Sequence, residues 1–146
     1  MTFKKRALAL GLIVAMLLSQ ISFTASAATS AGTRFSDVPA GYWAEYQINR
    51  LRELNITVGI GNNKFGVGQT LRRGEFVTFL VRLMGWEIVK PAKGSFTDNM
   101  NPSRNFYGEI ETALLHGVIK KDSPAFRIDD PITREEMSVM IVRSLG

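Results

Sequence analysis

Ile132-Thr133-Arg134-Glu135-Glu136-Met137 is the stretch whose reading decides the fold. Thr133 and Glu136 stand three apart just ahead of an apolar stripe at helical spacing. In that arrangement the threonine oxygen takes one orphan amide of a helix start and the glutamate reaches back to another. Arg134 falls in the first turn, where a cation opposes the helix dipole at a cost of ~0.3–1 kcal/mol. Its echo lies 61 residues upstream, in Leu71-Arg72-Arg73-Gly74-Glu75-Phe76. An arginine at this unfavourable spot in both copies points to a use other than helix stability.

Outward from these two starts the whole chain reads as one unit written twice. Phe35-Ser36-Asp37 is matched by Phe96-Thr97-Asp98 and Phe65 by Phe126 at an offset of 61, while Ile48 and Asn55 meet Ile110 and Gly117 at 62. Arg73, Glu75, Arg82 and Gly85 meet Arg134, Glu136, Arg143 and Gly146, again at 61. In the first copy a helix is expected over about Tyr42 to Leu54, with Ala44, Ile48, Leu51 and Leu54 on one face. A Gly/Asn-rich loop from Ile56 to Phe65 follows, too broken for a long strand. A second helix, about Arg72 to Met84, is expected to bury Phe76, Phe79, Leu80, Leu83 and Met84, with Gly85 as its stop. The second copy repeats this with helices over about Phe106 to His116 (Ile110, Ala113 and Leu114 inward) and Arg134 to Leu145 (Met137, Met140, Ile141 and Leu145 inward). Residues 86–94, with Pro91 and Gly94, read as a linker.

At the amino end Lys4-Lys5-Arg6 leads into an apolar run from Ala7 to Phe23 and the small residues Ala25-Ser26-Ala27. This is the pattern of a secretory signal peptide over residues 1–27, and it is set aside from the fold. A membrane anchor fits less well, because Ser19-Gln20 breaks the run and the small-residue ending would go unexplained. A short polar spacer spans 28–34, so the two units occupy 35–85 and 95–146. Of the 18 cations, three lie in the signal, which leaves fifteen against 13 acids and brings the formal +5 down to +2. Acids and bases alternate along the rest, and no basic cluster marks a nucleic-acid binder. The chain has no cysteine and a single histidine, His116. Disulfides, thiolate sites and histidine-based metal sites are therefore not expected, and neither is any other cofactor.

Phe35-Ser36-Asp37-Val38, Trp43 opening a helix, the Gly/Asn loop to Phe65, the arginine-glutamate helix start and the closing Leu/Met-Gly together resemble the S-layer homology (SLH) motif, here twice. That resemblance implies an all-α fold of tandem helix-loop-helix repeats forming part of a pseudo-threefold helical bundle. It also implies non-covalent anchoring of an exported protein to a bacterial cell wall or S-layer, by binding pyruvylated secondary cell-wall polysaccharide in grooves between motifs. The family's arginine and its opening aspartate, which help form those grooves, map onto Arg73 and Arg134 and onto Asp37 and Asp98. Trp43 and the loop glycine Gly59 complete the set of expected ligand-binding residues. An arginine fork holds the carboxylate of a pyruvate ketal with two hydrogen bonds, and an aromatic ring packs on the sugar's apolar face.

Each of these residues also has a plainer reading. Asp37 and Asp98 fit turn or N-cap aspartates, Trp43 fits a helix-packing residue, Glu75 and Glu136 fit caps, and His116 fits a helix C-terminus. Copy two departs from the pattern with Asn105 in place of Trp43 and Lys121 in place of Gly59. In copy one Arg72 stands where the capping threonine belongs, so that helix is expected to lose its cap. Catalysis is not expected: the acidic pairs Asp129-Asp130 and Glu135-Glu136 sit in a turn and at a helix start, and no nucleophile elbow or phosphate loop occurs. The other class of function is a protein-protein or oligomerisation module that keeps the fold without binding sugar. A bundle that its relatives build from three motifs leaves an apolar flank when two are present, so association with a second copy or another SLH protein is expected. Arg73→Ala or Arg134→Ala is expected to weaken wall binding while leaving the fold intact.

Overall fold

The computed structural model describes residues 34–146. The signal-peptide reading and all but the last residue of the 28–34 spacer lie outside the described residues. Four helices follow one another: α1 (Glu45–Glu53), α2 (Arg73–Leu83), α3 (Tyr107–Leu115) and α4 (Arg134–Leu145). Among the described residues there is no strand, only isolated bridges at Gly61–Lys64 and Arg72–Pro131. The fold is all-α, in two helix-loop-helix copies.

Three of the helices end by the same device. The chain turns into the left-handed region at Asn55 (φ 56°), Gly85 (φ 66°) and Gly117 (φ 72°), one residue beyond each helix cap. The next amide then reaches back across the last turn: Ile56 to the Leu51 carbonyl at 2.9 Å, Trp86 to Val81 at 3.4 Å, and Val118 to Ala113 at 2.9 Å. Glycine and asparagine tolerate this conformation best, which is why the stops were visible as residue types.

Each copy is then closed on itself by its opening aspartate. Asp37 accepts the amides of Phe65, Gly66 and Val67 at 2.7, 2.7 and 3.2 Å, and Asp98 those of Phe126, Arg127 and Ile128 at 2.8, 2.7 and 3.1 Å. Beside each carboxylate an aromatic pair packs at a tilt, Phe35 with Phe65 at 5.6 Å and Phe96 with Phe126 at 5.5 Å between centroids. The middle residue of the clamped loop is left-handed in both copies. Copy one uses Gly66 (φ 95°) there, and copy two uses Arg127 (φ 65°), which the three amide bonds hold in a conformation unfavourable for a side-chain-bearing residue.

The two copies do not have equal cores. Val77, Leu80 and Val81 of α2 join Phe96, Ile110, Ala113, Val118, Phe126, Ile128 and Met140 in one buried cluster. Phe35, Val38 and Ile48 of copy one form a separate small cluster with Tyr42, Ala44, Phe65 and Val67 half-buried around it. The helix faces therefore differ from those expected. On α2 the buried residues are Gly74, Val77, Thr78, Leu80 and Val81, with Leu83 exposed, because the helix lies between the copies and turns its inner stripe toward α3. On α4 only Met140 and Ser144 are buried, and Ile141 and Leu145, expected inside, are exposed.

The connector at 86–94 is strapped down along its length. The amide of Val89 donates to Thr112 Oγ1 at 2.9 Å, Tyr107 donates its hydroxyl to the Pro91 carbonyl at 2.6 Å, and Trp86 stacks on His116 with centroids 4.0 Å apart. Just beyond it the buried Glu111 accepts from the amide and hydroxyl of Ser95 and from Asn99 Nδ2. Gly94 lies so close to the Asn99 carbonyl that a side chain there has no room.

The aspartate clamp makes the fold acid-sensitive in a defined way. Burial pushes the Asp98 carboxyl up, but the amides of Phe126, Ile128 and Arg127 outweigh it and hold the group below its ordinary value of 3.8. Its contribution is complete above pH ~4 and is lost as pH falls through the depressed folded value. We expect Asp98→Asn to lose roughly 1.5–3 kcal/mol at neutral pH. We expect it also to lose less additional stability than the wild type between about pH 5 and pH 2. Urea melts at several pH values measure both.

Candidate functional site

Helix α2 begins without the side-chain cap that α4 has. At α4 the Thr133 hydroxyl accepts from Glu136 N at 3.3 Å and Glu136 accepts from Thr133 N at 3.0 Å. At α2 Arg72 has no acceptor to offer, and only the return bond survives, from Arg72 N to Glu75 at 2.8 Å. Two other amides of the same helix start are taken by the other copy: Arg73 N donates to the Asp130 carbonyl and Gly74 N to the Ile128 carbonyl, both at 3.0 Å. Gly74 is what permits this approach, since a Cβ there would sit 2.8 Å from both Ile128 Cγ2 and Phe106 Cδ2. Two orphan amides of α2 are thus satisfied in trans, and these bonds lock the copies together.

Arg73 completes the lock. Its Nε donates to the Phe126 carbonyl at 2.9 Å, its guanidinium lies 4.6 Å over the Phe126 ring, and Nη1 pairs with Glu136 at 2.6 Å. The side chain is 11% exposed. Arg127 reaches the same Glu136 oxygen. Burial pushes the Glu136 carboxyl up, yet the Thr133 amide, Arg73 and Arg127 together hold it below the usual range. The first-turn arginine of copy one therefore serves the joint between copies, a role its position opposite the helix dipole had concealed.

Two concave regions lie along this joint. The larger, about 1190 Å³, is walled by Gly59, Ile60, Thr70, Arg72 and Arg82 of copy one and by Arg104, Asn105 and Tyr107 of copy two, with Lys90 of the connector at its edge. Arg82 is paired with Glu109 at 2.8 Å and Arg104 with Asp129, while Arg72 stands 3.7 Å from Asp129 and Lys90 has no acidic partner among the described residues. The smaller, about 350 Å³, lies beside Arg73 and is lined by Lys120, Ser123, Arg127, Glu135 and Arg143 of copy two.

The expected site residues are dispersed over these features. Gly59 lines the larger cleft, with φ 77° and no room for a side chain against the Lys64 carbonyl and the Phe35 ring. Arg73 borders the smaller one. Asp37 and Asp98 spend both oxygens on loop amides. Trp43, 83% exposed, and the exposed Arg134 stand on outer faces and border neither cleft. Arg72, Lys90 and Arg104 line the larger cleft without having been expected there. Their common signal is weak: each is a lone cation at a turn or helix edge, and only the docking of the two copies brings them together. Among the described residues no group of acids and histidine is placed to hold a metal.

The two first-turn arginines should separate in a stability experiment. Arg73→Ala removes an inter-copy hydrogen bond and one partner of a half-buried carboxylate, and is expected to cost roughly 1–3 kcal/mol. Arg134→Ala removes an exposed side chain and should stay within about 0.5 kcal/mol of wild type. The contacts of Arg73 put a structural cost on its removal that the expectation of an intact fold did not include. Equilibrium unfolding in urea tests both.

The S-layer homology domain model matches the chain at residues 34–77 and 99–138, one match per copy. The chain is 31% identical over 130 residues to the S-layer protein Sap of Bacillus anthracis, covering 88% of this chain and 16% of that protein. It is 36% identical over 123 residues to a cell surface protein of Thermoanaerobacter kivui, covering 80% of this chain and 16% of that one. It is 31% identical over 113 residues to endo-1,4-beta-xylanase A of Thermoanaerobacterium saccharolyticum, covering 77% of this chain and 10% of the enzyme. The chain spans about a sixth or less of the length of these curated relatives. With both copies matched and the repeat visible in every clamp and helix stop, this chain belongs to the S-layer homology domain family.

Proposed function

We propose that the chain is a cell-wall anchoring module that acts by binding and not by catalysis, and that it holds pyruvylated secondary cell-wall polysaccharide in the cleft between its copies. The observation that carries this is the roughly 1190 Å³ cleft itself, which exists only where the copies meet and brings Arg72, Arg82, Lys90 and Arg104 to one polar wall. Its volume exceeds the about 300–1,000 Å³ of ordinary ligand sites, as suits a polymer that runs through and out. A ketal carboxylate would meet Arg72 and Lys90, the least neutralised of the four, and Tyr107 offers an aromatic edge to a sugar ring. Gly59 shapes the floor of this cleft, and Arg73 with Arg143 and Lys120 forms a secondary contact in the smaller groove. Asp37 and Asp98 act on the ligand indirectly, by holding the loops at 65–67 and 126–128. The relatives include both an S-layer protein and a xylanase, which supports attachment as the shared property and a wall or S-layer location for this chain.

Co-sedimentation with purified walls tests this reading. Retention should vanish when the secondary polymer is stripped from the walls. It should fall about tenfold or more in the Arg72→Ala/Lys90→Ala double variant, whose side chains are exposed and carry little of the fold, while Lys93→Ala on another face stays unchanged. Retention on stripped walls would instead favour the protein-interaction class.

A further inference from the structure

We propose that Asp129 is an internal carboxylate standing where the carboxylate of an acidic sugar binds, between Arg72 and Arg104, and that such a sugar enters the larger cleft by displacing it. The inference rests on the anchoring reading and adds a built-in competitor to that site. Asp129 lines the cleft together with both arginines. Its Oδ2 accepts from Arg104 Nη2, and its Oδ1 lies 3.7 Å from Arg72 Nη1. One carboxylate thus faces a guanidinium from each copy, with one oxygen toward each. A carboxylate arriving on a ligand satisfies the same two cations in the same way.

The three side chains differ in how firmly they are held, and the difference decides which one moves. Arg104 is anchored: its Nη1 donates to the Asp98 carbonyl at 3.1 Å, in the residue whose own carboxylate clamps the loop at 126–128. Its guanidinium therefore keeps its place whether or not Asp129 is there. Asp129 has no such anchor. Asp37 and Asp98 each accept three backbone amides, whereas the Asp129 side chain accepts none among the described residues and is 61% exposed. The neighbouring carboxylate, Asp130, faces Arg127 instead, at 3.8 Å. An exposed carboxylate held by two guanidiniums alone is weakly fixed, and exchanging it for another carboxylate trades like for like while Asp129 returns to water.

This arrangement makes the cleft selective by competition. A neutral sugar gains little from arginines that are already paired, whereas an acidic one restores the pairing it breaks. Asp129 belongs to the same chain and so competes at a high effective concentration. A small free anion dislodges it poorly. A carboxylate carried on a sugar that also touches the rest of the cleft has those further contacts to draw on. Asp129 therefore lowers the affinity for every carboxylate, and it lowers it most in effect for those that bring nothing else.

Titration of the purified protein with pyruvate, followed on the arginine side-chain NMR signals, reads the exchange without any wall polymer. Asp129→Asn should lower the pyruvate Kd by about threefold or more. It should also steepen the dependence on salt, because two uncompensated cations attract the anion where the wild type presents two cations and an acid. Asp130→Asn, at the neighbouring position that faces Arg127, should bind as wild type does. Both aspartates are exposed, so each variant should melt in urea close to wild type. On native walls Asp129→Asn should be retained more tightly than wild type, and equally on walls whose ketals have been removed by mild acid. A pyruvate Kd that is unchanged or raised in Asp129→Asn, or an equal gain in Asp130→Asn, would overturn the proposal. Failure of the anchoring reading shows separately, as wall retention that survives removal of the secondary polymer, while the pyruvate titration still decides the exchange.

Discussion

The constraint on which the structure depends is the set of unpaired amides at the start of α2. A helix start carries four such groups, and each left unmade in a buried setting costs on the order of 1–3 kcal/mol. The Arg73 and Gly74 amides take their partners from the turn at Ile128 and Asp130, which draws copy two against copy one to backbone contact. Everything at the joint follows from that closeness: glycine at 74, the ring of Phe106 over it, and the bridge between Arg72 and Pro131.

Around this joint the charges do two different jobs. Arg73 is held by the Phe126 carbonyl and ring and Glu136 by the Thr133 amide, so their pair keeps its geometry with reduced solvent screening, while the more exposed Arg127 adds a second cation to Glu136. Arg72 and Lys90 stand at the rim of the cleft with loose or no pairing among the described residues, while Arg104 beside them is paired with Asp129. The same residue type is thus structural on one side of a helix start and exposed on the other, one position away.

Inequality between the copies is what remains after the joint is made. Copy two has the larger core because α2 of copy one joins it; copy one keeps a small separate cluster around Phe35, Val38 and Ile48.

The sequence by itself determined the repeat, the helices and their stops. Asn55, Gly85 and Gly117 mark left-handed residues that few other types adopt cheaply, and the Thr133 to Glu136 box is a local arrangement of four residues. The opening aspartates were visible as well, though their use was open between turn, cap and ligand; three amides arriving from about 30 residues away decide what their oxygens touch. The buried faces of α2 and α4 were misread, because periodicity reports that a stripe is apolar and only packing reports which neighbour covers it. Arg73 and Arg134 hold the same position in the repeat and have opposite surroundings, one locked on Phe126 and Glu136 and the other in solvent. That difference belongs to the tertiary structure alone, because it depends on what another segment brings to each helix start.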